Sequence, residues 1–219
     1  MVSDNGGIYS VVASPNILTV RDLRNKRIGF AQHTSGEMFV SYMLRSAGMN
    51  LSYVDSVEVI PEQVPQSIPG QIDAGLVWEP YTSQALQQGK HILYQSTDYS
   101  TLIPRLLAFR TAVVEERPDD IRAFIQAWDE AVDYRINHPQ ESLEIIANST
   151  GLPANELELT GDIKIYTIQD NLTLFAENPG VDASSIYFIA NLNSAFLLNA
   201  GYITALPDID TLLDPSFLR

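Results

Sequence analysis

Residues Gly70–Tyr81 read GQIDAGLVWEPY, and the fold is decided by how this stretch is read. Ile72, Ala74, Leu76 and Val77 form a short apolar run after a glycine turn, the pattern of a strand buried on both faces of a parallel sheet. The run stops at Trp78-Glu79-Pro80-Tyr81. Pro80 has no N–H to give a strand ladder, but it suits the first turn of a helix, which Ser83, Ala85, Leu86 and Gln87 continue as far as Gly89. Open α/β sheets hold ligands beyond the carboxyl ends of their strands, where the next helix begins. Trp78, Glu79 and Tyr81 are therefore binding candidates. For Glu79 a second reading stands beside this one, because an acid in a first helical turn is stabilised by the helix dipole without any ligand.

The same strand-to-helix arrangement occurs upstream. Arg27–Ala31 reads as a strand, and Gln32-His33-Thr34-Ser35-Gly36-Glu37 leads into a helix whose apolar face is Phe39, Tyr42, Met43 and Ala47, ended by Gly48. Hydroxyls and a glycine at a helix start can cradle an anionic or polar group, since several N–H groups there lack helical partners. Gln32, Thr34 and Ser35 join the candidates on that ground, with simple capping by Thr34 or Ser35 as the competing reading.

Further strands are expected at Ser10–Ala13, Val57–Ile60, His91–Tyr94 and Leu106–Phe109. A turn or two of helix capped by Thr19 should follow the first, and Pro65 and Pro69 leave only a short or kinked helix after Pro61. From Pro118 the pattern turns helical, with Ile121, Phe124, Ile125, Trp128, Val132 and Ile136 on one face. Helices are also expected at Glu141–Ser149, at Pro153–Thr160, after Thr167, and from Asp182 to Ala200.

Composition narrows the function. A chain of 219 residues with net charge -14 and pI near 4.4 has no basic surface to follow a phosphate backbone, so nucleic acid is excluded as a partner. There is no cysteine, hence no disulfide, thiol nucleophile or cysteine-ligated metal. His33, His91 and His138 are scattered, and neither a nucleophile turn nor metal-ligand spacing is visible. No apolar run is long enough to span a membrane.

Five segments in order carry a resemblance: ILTVRDLRNKRIGF, AQHTSGE, GQIDAGLVWEPY, RPDDIRAFIQAW and LLDPSFL. Together they resemble the solute-binding proteins of ABC transporters for nitrate, sulfonates and taurine, a group similar to the binding proteins for thiamine-pyrimidine precursors. The resemblance implies an α/β, type II periplasmic-binding-protein-like fold of two lobes joined by a hinge. Residues 1–14 would then be a hinge-proximal strand, 15–110 the second lobe with its return crossing, and 111–219 the mostly helical remainder of the first lobe. It further implies non-catalytic capture of a small anionic or zwitterionic solute, delivery to an ABC-transporter permease, a periplasmic or cell-surface location, and no cofactor. Arg105, just before the expected Leu106–Phe109 hinge strand, would pair with an anionic group; the alternative is a solvated surface arginine.

The resemblance departs at the beginning, where the opening strand–helix units of the first lobe are absent. The expectation is a fragment of a longer protein, or a short form completed by a dimer partner, with apolar helix stripes left uncovered. The competing functions are an extracytoplasmic sensing domain and a pyrimidine-synthase-like enzyme. The latter relies on a cysteine-rich motif that this chain cannot supply.

Overall fold

The structure, a computed structural model, describes residues 1–4, 8–96, 103–151, 153, 163–176 and 185–219. The chain divides into two compact units. A sheet unit comprises Gly6–Tyr99 with Glu158–Asp162, and a helical unit comprises Met1–Asn5, Ser100–Leu157 and Ile163–Arg219.

The sheet unit is built on strands β2 (Ser10–Ala13), β3 (Arg27–Phe30), β4 (Asp55–Glu58), β5 (Ala74–Val77) and β6 (His91–Gln95). Their order across the sheet is β4-β3-β5-β2-β6. Every residue of β2 and β5 is buried, which accounts for their unbroken apolar character. β3 runs parallel to β4 and β5, whereas β2 is antiparallel to β5 and β6. The sheet is thus mixed and not wholly parallel as Gly70–Tyr81 alone suggested. Parallel neighbours need a helical crossover of a dozen or more residues. β5 and β6 have one, through α3 (Tyr81–Gln87), and β2 is inserted between them in the opposite direction.

Helix α1 (Ser35–Ser46) buries Met38, Phe39, Val40, Met43 and Leu44. The segment with two prolines gives a 3-10 turn at Pro61–Gln63 and a short α2 (Val64–Ser67), as its composition requires. Close packing sets the helix–sheet distance there: a Cβ added to Gly75 on β5 would lie 2.6 Å from Val64 Cγ1. β4 begins two residues earlier than the expected Val57.

Asp73, the aspartate of the GQIDAG segment, ties three strands together at one edge of the sheet. Its carboxylate accepts from the Arg27 backbone N–H (2.9 Å), from Arg27 Nε (3.2 Å) and from Arg27 Nη2 (3.0 Å). Its N–H donates to Arg27 O (2.9 Å) and its carbonyl accepts from Ser14 N–H (3.0 Å).

In the helical unit, β1 (Ser3–Asp4) pairs antiparallel with β7 (Pro104–Arg105). The strand expected at Leu106–Phe109 is not formed. Those residues lie outside regular structure, with Leu106, Leu107 and Phe109 exposed at 47%, 40% and 38%. Strands persist by pairing, and the ribbon available here is two residues long.

The helices are α4 (Thr111–Glu116), α5 (Pro118–Asn137), α6 (Pro139–Thr150), α7 (Ile168–Leu174), α8 (Ile186–Asn199) and α9 (Ile209–Leu212), followed by a 3-10 turn at Pro215–Leu218. Gly151 closes α6 in the left-handed conformation, and a Thr167–Asp170 capping box opens α7. The apolar face of α5 is only partly covered: Ile121 and Val132 are buried, while Phe124 and Ile136 are 48% and 65% exposed. Beside it lies a hollow of about 390 Å³ lined by Leu106, Ile121, Ile125, Trp128, Tyr166 and Phe217 among others. Trp128 packs as the periodicity suggested and donates from Nε1 to Tyr166 O (3.2 Å). Residues 154–160 of the helix expected at Pro153–Thr160, and 182–184 of the one expected from Asp182, lie outside the described residues.

Two outcomes follow for stability. Gly75→Ala should cost about 1–3 kcal/mol in urea unfolding, because Val64 must shift to admit the methyl. Hydrogen bonding from Arg27 holds the Asp73 carboxyl below the usual carboxylate range. Its contribution is therefore present above that range and is lost as pH falls through the lowered folded value. Asp73→Asn should lower the unfolding midpoint at pH 7, and the difference from wild type should shrink below about pH 3, measured by urea titration at both pH values.

Candidate functional site

The site is assembled at the sheet edge opposite the Asp73 knot. β3 ends there at Phe30, β5 at Val77 and β6 at Gln95, while β2, running the other way, brings its first residue Ser10 opposite both Val77 and Gln95. Tyr9 therefore stands at the carboxyl ends of its neighbours. A reciprocal pair of bonds fixes its backbone: its N–H donates to Ser96 Oγ (3.0 Å), and Ser96 N–H donates to Tyr9 O (2.9 Å). The Tyr9 ring lies 5.8 Å from Trp78 at 31° and 5.8 Å from Phe39 at 58°. Its hydroxyl is 3.0 Å from Ser35 Oγ.

Ser35 reaches this point because α1 is pressed onto β5. A Cβ at Gly36 would fall 2.5 Å from Leu76 Cδ2, so only glycine lets the helix start come so close. Thr34 is the N-cap: its Oγ1 accepts from Gly36 N–H (3.1 Å) and donates to Ala31 O (2.7 Å), which is the capping role anticipated as an alternative. Just before it, His33 takes a positive φ of 61° and donates its N–H to Glu37 Oε2 (2.7 Å). Gln32 donates its backbone N–H to Glu58 Oε2 (2.9 Å).

On the β5 side, Trp78 is half-buried beside Tyr9. Glu79 Oε2 accepts from Ser83 N–H (3.1 Å), so one carboxylate oxygen serves the first turn of α3. Tyr81 packs against the core that includes Val12, Val64, Val77 and Ala85. The expected start at Pro80 is displaced by one residue, since Pro80 is the N-cap and α3 begins at Tyr81.

The structure thus brings Ser35 and Trp78 together around Tyr9, with Gln32, Thr34 and Glu79 as their frame. Arg105 is exposed on β7, in the helical unit. Tyr9 is the residue that sequence reading left out. A tyrosine before a short, mostly apolar run gives no sign of the sheet edge it will occupy.

The electrostatics of the edge are one-sided. Glu37, Glu58 and Glu79 each accept a backbone N–H. The cations of the sheet unit lie elsewhere. Lys26, Arg27 and Lys90 adjoin the starts of β3 and β6, Arg24 lies over Tyr53, Arg21 donates to Ala47 O, and Arg45 is in the last turn of α1. Among the described residues no group of three His, Cys, Asp or Glu is placed to hold a metal ion. The cluster offers hydroxyl groups and aromatic rings.

Comparison with known sequences matches residues 2–142 to the NMT1/THI5-like family. The chain belongs to this family. Among its family relatives, a Brucella abortus protein named as a binding protein is 29% identical over 153 residues, 68% of this chain and 48% of that one. An Escherichia coli protein named for binding aliphatic sulfonates is 27% identical over 149 residues, 67% of this chain and 46% of that one. The crystal structure of the periplasmic aliphatic sulphonate binding protein SsuA from Escherichia coli superposes with a TM-score of 0.73 at 21% identity, covering 98% of this chain and 71% of that one. The type II periplasmic-binding-protein-like α/β fold is therefore established, while an identity of that order does not by itself choose between binding and catalysis. The chain spans about half the length of the curated relatives it matches. Among the described residues no helix of this NMT1/THI5-like chain is long and apolar enough to cross a membrane.

Thr34→Ala and Glu79→Ala should each cost about 1 kcal/mol in urea unfolding without any solute present, because each removes an acceptor from a helix-start N–H.

Proposed function

We propose that this chain captures a small organic oxyanion, an alkanesulfonate or an aminosulfonate such as taurine, for uptake through an ABC transporter. The observation that carries the reading is the convergence of Tyr9, Ser35 and Trp78 at the carboxyl edge of the sheet, where a polar hydroxyl pair adjoins an aromatic face. Family relatives named for aliphatic sulfonates support the same class of solute. Gln32, Thr34, Glu79 and Tyr81 shape the site in this reading, and Arg105 is retained as a pairing candidate for the anionic end.

The capture is non-catalytic. Binding leaves every covalent bond of the solute intact, and the receiving partner is a permease at the outer face of the membrane. The division of the chain into 1–14, 15–110 and 111–219, and completion of the protein by further polypeptide or a second copy, belong to the same proposal.

A thermal-shift screen and calorimetry against taurine, alkanesulfonates, nitrate, bicarbonate and pyrimidines test it. An alkanesulfonate should stabilise the protein by about 2.7 kcal/mol at a hundred times its Kd. Ser35→Ala should reduce that stabilisation. No response to any sulfonate would overturn the reading, and turnover of a bound solute, followed by mass spectrometry, would overturn its non-catalytic part.

A further inference from the structure

The Tyr9–Ser35 contact is a bond between two hydroxyls, each with one proton to give. One proton lies between the oxygens. The other is directed elsewhere, whichever residue donates. If Tyr9 donates, the Ser35 O–H is released; if Ser35 donates, the Tyr9 O–H is. The pair therefore always presents one hydroxyl donor from a fixed place, because the tyrosine cannot swing away. Its backbone is bracketed by Ser96, and its ring is held between Phe39 and Trp78. Tyr9 is 8% exposed whereas Ser35 is open to solvent, so the pair reaches from the packed interior to the rim.

We propose that Tyr9 is a solute-contacting residue that determines specificity at this site, a role resting on the solute-capture reading above. The Tyr9–Ser35 pair donates a hydrogen bond to an oxygen of the solute's oxyanion, and the open part of the Trp78 ring, which Tyr9 holds in place, receives the carbon atoms next to it. The favoured class is an organic oxyanion with a hydrocarbon body, a sulfonate or carboxylate. An inorganic oxyanion such as nitrate would meet the donor and leave the aromatic surface unused.

The experiment is calorimetric titration of hexanesulfonate and of nitrate into wild type, Tyr9→Phe, Ser35→Ala and the double variant, with unfolding midpoints of the solute-free proteins as control. Tyr9→Phe keeps the ring and removes only the hydroxyl. Hexanesulfonate should bind it about threefold more weakly than wild type, since Ser35 keeps its proton but loses the oxygen that fixes its direction. Ser35→Ala should show a similar loss, and the double variant a loss larger than the two single losses combined, because only there is no hydroxyl donor left for the solute. Wild type should bind hexanesulfonate at least about tenfold more tightly than nitrate.

Unchanged hexanesulfonate affinity in Tyr9→Phe, beside a responsive wild type, would overturn the role of Tyr9 and leave solute capture standing. A double variant that binds hexanesulfonate no more weakly than either single variant would also overturn it. A wild type that binds no sulfonate would overturn the capture reading itself. Should Tyr9→Phe fail to fold, Ser35→Ala at the exposed end of the pair carries the comparison, and equal affinity there would refute the shared donor.

Discussion

The clamp between Arg27 and Asp73 sets the frame on which the sheet unit depends. Three bonds from one arginine to one carboxylate, with backbone bonds to Arg27 and Ser14, lock β2, β3 and β5 in register at a single point. Register in a sheet is all or nothing for side chains, since a slip of one residue turns each of them to the opposite face. The strands beyond the clamp are four residues long, roughly 13 Å at a strand's rise. Over so short a span the clamp at one edge dictates which residues emerge at the other. The aspartate of GQIDAG thereby acts on the site without being near it.

Much of this could be read from local sequence, and the reason is visible residue by residue. The apolar run ending at Trp78, the proline that stops it, the hydroxyl cap at Thr34 and the periodic face of α5 are signals carried within about a dozen residues. What escaped reading is long-range. The antiparallel insertion of β2 depends on where a strand lies among neighbours tens of residues away, and the prominence of Tyr9 at the site depends on that insertion. Tyr81, beside the strand end, is partly buried against the core at the start of α3, a contact that its local sequence does not announce.

The helical unit illustrates pattern without pairing. Leu106–Phe109 has the composition of a strand, yet among the described residues only the two positions before it are paired, and its side chains stay exposed. The same holds for α5, whose apolar stripe predicts burial along its whole length and finds it at Ile121 and Val132. Hydrophobic periodicity states what an element is able to bury. It does not state whether a neighbour is present to bury it against.

The separation of charge within the sheet unit has a kinetic consequence. Its six lysines and arginines sit at the starts of strands, in or just after the 3-10 turn at Val20–Leu23, or far along α1, while the charged groups at the site edge are carboxylates already bonded to backbone N–H groups. No positive field from this unit draws an anion toward the hydroxyl pair, and a net charge of -14 gives an approaching anion nothing to accelerate it. Repulsion would slow encounter below the rate for a neutral solute and rising ionic strength would relieve it, so that discrimination among solutes lies in how slowly the fitting one leaves.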